Sequence, residues 1–289
     1  MAVFSLFAAL VLSLPSVLPQ SQEQGEKQEA PPPKLHFESG KVVVGDHLAT
    51  IDLPKGDRYL QKKEARFIVE KVWGNPPNPD LLGLILPKGE DLFAEDSWVI
   101  VVGFEADGYI SDEEAEEMDY DAILAQAQEE EVEINKKRKE MGYPTVHLVG
   151  WAEKPHYDAK TKKFYWAKNL AFGDKSVNTL NYNIRCLGRR GVLVLNAVST
   201  MDRLEDVSRG AKAILSRVEF TKGNRYSDYV SGDKVAAYGF GALIAGKLAL
   251  KAGLFKLLLK PLIVVGAILI GFFARLFGKK KVAPSADAE

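Results

Sequence analysis

Eighteen residues near the carboxyl end, Leu257 to Ala274, are interrupted by a single charge, Lys260. A helix of that length rises about 27 Å, close to the thickness of a bilayer's hydrocarbon core. The run is apolar on every side, which a helix lying on the surface of a water-soluble domain is not. Lys260 stands near one end, where its stem can carry the ammonium out to the headgroups, and Pro261 suits a first helical turn. Arg275 and Lys279–Lys281 follow as a basic stop. The pattern predicts a transmembrane helix over 257–275 and a basic tail over 276–289.

The opposite end opens with a second apolar stretch, Met1 to Pro15, too short to span a bilayer. No Lys or Arg precedes it and no clean small-x-small site follows. Its length is that of a secretory signal, expected over 1–21, although an uncleaved anchor or a mis-assigned start fits the same residues. Residues 22–34 are polar and end in Pro31-Pro-Pro33, a composition that cannot bury enough apolar surface to order itself. They read as a flexible leader. A cleaved signal places the body outside the cytoplasm, and the positive-inside rule places Lys279–Lys281 within it. Both hold only for an odd number of crossings. Residues 235–256, rich in small residues and lysine, therefore read as a juxtamembrane interfacial helix rather than a second span.

Charge is distributed unevenly. The net charge is −1, yet residues 236–281 hold eight Lys or Arg and no acid, and the tail holds two acids. Residues 1–235 consequently carry −7. An acidic body on a basic, apolar stem suits a membrane-tethered protein and not a nucleic-acid binder. The lone Cys186 excludes an intramolecular disulfide and a Cys-based zinc site.

From 35 to 230 the chain reads as one extracytoplasmic α+β domain. Lys41–Val44 and Ala49–Leu53 form a hairpin around Gly45-Asp-His47, and Gln61–Trp73 has helical spacing. Trp98–Phe104 and Val192–Val198 are apolar on both sides, so each strand must be covered on both sides. Val146–Glu153 and Phe164–Leu170 form one further hairpin, around Tyr157–Lys162, and Asn181–Leu187 pairs with Val192–Val198 in another. Tyr120–Met141 is a long helix with a sparse apolar face, read as solvated, and Asp202–Val218 is strongly amphipathic. The expected fold is a mainly antiparallel sheet with helices packed on both faces, plus the C-terminal transmembrane helix.

A set of short motifs runs through this body: Gly74-Asn-Pro-Pro77, Gly108-Tyr-Ile-Ser-Asp112, Gly142-Tyr-Pro144, Gly150-Trp-Ala152, Pro155-His-Tyr-Asp158, Trp166-Ala167, Asn181-Tyr-Asn183 and Leu187-Gly-Arg-Arg-Gly191. Asn224-Arg-Tyr226 and Asp233-Lys-Val-Ala-Ala-Tyr-Gly239 complete it. In this order they resemble the bacterial membrane-anchored family known as domain of unknown function 2167, from about Lys41 to Lys281. The resemblance implies an envelope protein with a C-terminal membrane segment. It implies no activity, so it assigns no catalytic, cofactor-binding or metal-binding residue.

Four local features invite a chemical reading. Asp107-Gly-Tyr-Ile-Ser-Asp-Glu-Glu114 fits the second half of an EF-hand loop, but Gly103 occupies the first ligand position, so an acidic turn is expected. Cys186 with His147 or His156 could form a thiol–imidazole pair. Cys186 alternates with Tyr182 and Ile184, however, which is the place of a small buried hydrophobe. Asp158 is expected to make a local turn hydrogen bond. Arg189 and Arg190 in a tight turn could meet an anion or a lipid headgroup, or simply stay in water. No phosphate-binding glycine loop, Gly-x-Ser-x-Gly or His-Glu-x-x-His is present.

The resulting expectation is a single-pass cell-membrane protein, folded domain outside and C-terminus in the cytoplasm. Its partners are the lipid bilayer and another envelope protein, with no nucleic acid and no cofactor. A non-enzymatic binding or scaffolding module leads. An envelope-acting enzyme with an unrecognised site, or a helix-packing membrane subunit, are the alternatives. A pocket joining His156, Asp158 and Arg189 would favour the enzyme, and an aromatic surface patch the binder.

Overall fold

The computed structural model describes residues 34–245, apart from 76, 95–96, 141–143 and 174–175. The expected signal and leader up to residue 33, the stretch beyond 245, the transmembrane helix and the tail lie outside the described residues. Among those described, no helix is long and apolar enough to cross a membrane.

The body is α+β. It opens with β1 (Phe37–Glu38) and the hairpin β2 (Lys41–Val44) and β3 (Ala49–Asp52), whose turn holds His47 at a left-handed φ of 51°. β4 (Arg58–Gln61) runs straight into α1 (Lys62–Arg66), and a π-helical turn over Phe67–Val72 continues it. Trp73 N–H reaches the Ile68 carbonyl at 2.9 Å, so the helix loosens by one residue per turn where it ends. Next come β5 (Leu81–Leu86), β6 (Val99–Glu105) and α2 (Tyr120–Glu140). β7 (Val146–Asp158), β8 (Lys163–Phe172), β9 (Thr179–Leu187) and β10 (Val192–Thr200) form a meander. α3 (Leu204–Leu215), β11 (Val218–Phe220) and the short α4 (Ala242–Ala245) complete the described chain.

Eight strands make one antiparallel sheet in the order β1-β4-β5-β6-β10-β9-β8-β7, and β11-β3-β2 make a smaller one. The alternation of side chains along a strand decides what each face meets. In β6, Ile100 and Val102 join the large core with β2, β3 and α3, whereas Val99 and Val101 pack with Ala65 of α1, Ile68 and Val69 of the π-helical turn and Leu84 of β5. β10 divides likewise: Leu193, Leu195 and Ala197 meet α3, while Val192 and Val194 meet Phe164, Trp166 and Phe240. Strands apolar on both sides are thus covered on both sides.

Two sequence expectations are corrected in detail. The amphipathic helix ends at Leu215, because Val218 leaves it to pair with Ile51 in the small sheet. The first hairpin of the meander is longer than predicted, with Tyr157 and Asp158 inside β7 and the turn confined to 159–162.

α2 is attached in a way its composition disguises. Its apolar contacts are Tyr120 and Ile123 on the cluster around Phe164 and Phe240, and Leu124, Ala127 and Ile134 on that around Leu148 and Phe172. Gln128, Glu131, Asn135 and Arg138, which share one helical stripe, face the rim strand β7. Gln128 donates to the Leu148 carbonyl at 2.9 Å, and Glu131 accepts the Leu148 N–H at 2.8 Å. Asn135 bonds both the N–H and the carbonyl of Val146, at 2.8 and 2.7 Å, and Arg138 donates to the Pro144 carbonyl. Here a helix does with side chains what a ninth strand would do with its backbone.

Candidate functional site

The motifs scattered along the sequence meet at one end of the meander. Gly108 sits at φ 115°, a conformation that side chains rarely adopt, and donates its N–H to the Arg190 carbonyl at 3.2 Å. This lets Tyr109 run beside Val235: Tyr109 N–H donates to the Lys234 carbonyl, and the Tyr109 carbonyl accepts from Ala236 N–H, both at 2.8 Å. Gly188 bridges Arg225, and Arg189 N–H donates to the Asn224 carbonyl at 2.9 Å. Residues 221–245 therefore form a strap held between the 108–112 loop and the 188–191 turn.

Side chains fasten it further. Arg189 grips Asp233 with two donors, Nε at 2.7 Å and Nη2 at 2.9 Å. That fork holds the Asp233 carboxyl down to about 2. Asp112 accepts from Tyr157 at 2.5 Å and from Lys162 at 2.6 Å, and the Tyr226 hydroxyl lies 2.8 Å from its other oxygen. Burial pushes the Asp112 carboxyl up, but hydrogen bonds from Lys162, Tyr157 and Tyr226 outweigh it and hold the group below the carboxylate range. Burial and the neighbouring charge raise both phenols. Tyr109 stacks on Tyr226 at 4.6 Å and on Tyr229 at 4.1 Å between ring centres. Tyr238 donates to Asp107 at 2.6 Å, and beyond it Phe240, Leu243 and Ile244 are buried in the body. The described part of the segment expected as an interfacial helix thus packs on the sheet, with α4 its sole helical portion among the described residues.

The chemical candidates fall elsewhere. Asp107 and Asp112 of the EF-hand-like stretch are committed to tyrosines, and no group of three potential ligands among the described residues could hold a metal. Cys186 is buried in the large core, where burial pushes its thiol up to about 12. His147 pairs with Ala171 and Cys186 with Lys163 across β8, eight positions apart along that strand. That separates them by about 26 Å. His156, opposite Tyr165, lies two strands from Cys186 and two residues further along, about 12 Å away. His147 instead bonds Glu131 at 2.6 Å, and the His156 ring meets Tyr165. Asp158 makes the local turn: it accepts from Lys160 N–H at 2.9 Å and Thr161 Oγ1 at 2.8 Å. Arg190 reaches Asn224 Oδ1 at 3.1 Å. A cleft of about 290 Å³ borders His156 together with Glu116, Met118, Tyr120 and Tyr157. Neither Asp158 nor Arg189 lines it.

Sequence reasoning missed Asp112, Tyr226 and Asp233 as partners, although all three stand in the recognised motifs. The family model described as "Protein of unknown function (DUF2167)" matches residues 36–274. The chain belongs to this family. The strap and its two receiving loops are therefore the meeting place of DUF2167 motifs that lie more than 100 residues apart in sequence. Curated proteins offer no match.

Three solved structures show loose likeness. Cyanobacterial PsbP from Synechocystis aligns at a TM-score of 0.38 and 12% identity, covering 65% of this chain and 92% of its own. The Ran-binding protein Mog1p of Saccharomyces cerevisiae aligns at 0.36 and 11%, covering 68% and 100%. LpqN of Mycobacterium tuberculosis, described as involved in cell envelope biogenesis, aligns at 0.31 and 16%, covering 64% and 92%. Likeness at this level carries no functional argument.

Proposed function

We propose that this DUF2167 protein is a membrane-tethered, non-enzymatic envelope module that presents its body to another envelope protein. The observation that carries the reading is the strap, which is laced to the sheet until Ala245, twelve residues before the apolar run begins at Leu257. Twelve residues reach at most about 41 Å when fully extended, so the body stays near the lipid surface. The topology is single-pass, with the body outside and the basic tail in the cytoplasm.

The partner face is the strap itself. Partly exposed Tyr109, Tyr226 and Tyr229 form a stack, and Val230 and Val235 beside them are 53% and 56% exposed. Rigid aromatic rings flanked by apolar side chains are the composition of a protein-binding patch. A photo-crosslinker at position 230 or 235 should capture one reproducible envelope protein in intact cells, and one at exposed Val132 should not. Equal capture at all three positions, or none, defeats the binding role. Release of the full chain by alkaline carbonate defeats the tether.

A further inference from the structure

The sheet face that carries the strap also contains a polar island. Trp166, Asn183 and Asn196 stand in one row across β8, β9 and β10, and Lys168 and Asn181 stand in the next. Arg185 follows on the other side of the first row. All point away from the large core, because their neighbours Ala167, Tyr182, Ile184, Leu195 and Ala197 point into it. Apolar clusters flank the island, with Phe164 and Phe240 at one end and Leu170 and Phe172 at the other. Such a place ordinarily takes leucine and valine, so amides and cations there call for partners.

Those partners are incomplete. Asn183 donates to Asn181 Oδ1 at 2.8 Å, but Asn181 Nδ2, Trp166 Nε1 and Asn196 Oδ1 are buried without a hydrogen bond. Trp166 is 1% exposed and Asn181 8%. Lys168 donates to the Ile244 carbonyl at 3.1 Å, and among the described residues no carboxylate forms an ion pair with it. Arg185 lies over the Trp166 ring at 5.1 Å and donates to its neighbour's carbonyl. Burial, helped by the Arg185 charge, pushes the Lys168 ammonium down to about 8. Glu105 lies within electrostatic reach of Arg185. Among the described residues, Lys168 and the two unused N–H donors, in adjacent rows, have no such anion, an arrangement that is costly unless a ligand supplies one.

We propose that this island binds the phosphate group of a ligand, through Lys168, Arg185, Asn181 Nδ2 and Trp166 Nε1. A tetrahedral phosphate offers acceptors in several directions and so suits donors from two strands and an indole. Asn196 Oδ1 accepts a hydroxyl of the same ligand. The phosphate could be free, carried on a polyol, or part of a lipid headgroup, and the experiment separates these sources.

Thermal unfolding of the full chain in non-ionic detergent micelles tests the site. The additives are inorganic phosphate, glycerol 3-phosphate and short-chain phosphatidylglycerol, against sodium chloride at matched ionic strength. A saturable rise in Tm that chloride does not reproduce supports the site. A response to inorganic phosphate assigns the free ion, one that begins with glycerol phosphate assigns a polyol phosphate, and one confined to the lipid assigns a headgroup. Lys168→Met keeps the stem and removes the charge. It should unfold no earlier than wild type in chloride and bind at least about tenfold more weakly. Asn181→Asp supplies an internal anion and should abolish the response in a folded protein. A Tm indifferent to all three phosphates, or the same response in both variants as in wild type, overturns the proposal.

Discussion

Arg189 and Asp233 stand 44 residues apart and meet through two hydrogen bonds, of 2.7 and 2.9 Å, that bind the strap to the Gly188–Gly191 turn. Replacing Arg189 with Lys removes the fork and keeps the charge. Amides of residues 230–236 should then exchange several-fold faster, while the central strands β9 and β10 keep their protection. Exchange read by mass spectrometry checks this; equal loosening of the whole body would show that the contact does not act locally.

The same contact fixes a pH response. Asp233 is held to about 2 in the folded chain, against about 3.9 when unfolded. A carboxyl with a lowered folded pKa contributes stability that is present above the unfolded value and lost as pH falls through the folded one. Asp112, also lowered, has the same sign. Strap protection should therefore be flat from about pH 7 to 5 and fall between about pH 4 and 2, and Asp233→Asn should flatten much of that loss.

Gly108→Ala should prise the strap loose from the opposite side. A Cβ there would lie 2.6 Å from the Lys234 carbonyl oxygen and 2.9 Å from the Val235 carbonyl carbon, at a φ that disfavours any side chain. The cost should exceed the roughly 1 kcal/mol of a left-handed alanine alone. Denaturant unfolding gives the total, and proteolysis within 226–245 shows where it falls.

Tyr226→Phe removes a hydroxyl that lies 2.8 Å from Asp112, 3.0 Å from the Ile110 carbonyl and 3.2 Å from the Asp112 N–H. Its ring keeps the stack on Tyr109. The loss should be about 1–2 kcal/mol, measured by urea unfolding, with the aromatic patch and its crosslinks unchanged.

Asn135→Ala tests the attachment of α2. It leaves the Val146 N–H and carbonyl without their shared partner, at a cost of about 1–3 kcal/mol. Val146 should lose amide protection while β9 keeps its own.

The parts of the fold that were legible in the sequence are those where one strand decides its own fate. β6 and β10 show it: their apolar residues occupy successive positions, and only a covered strand tolerates that. β4 and β5 escaped notice because Arg58-Tyr-Leu-Gln61 is short and merges into α1, while Leu81–Leu86 contains Gly83 and follows a proline-rich turn. Val218 was drawn into the wrong element because its partner, Ile51, lies far away in sequence. α2 misled most: its polar stripe looks solvated, yet those side chains make the contact. In the candidate site, Asp158's turn was local and readable. The bonds of Asp112 to Tyr157 and Tyr226 cross 45 and 114 residues, which no local pattern encodes.

The decorated rim has a consequence for crowded neighbours. A bare strand at the margin would invite stacking into ribbons. Here β7 breaks step three times against β8, and α2 occupies its outward bonding groups at Val146 and Leu148. At the other margin β1 is two residues long. Neighbours jostling side by side find no straight ladder to extend.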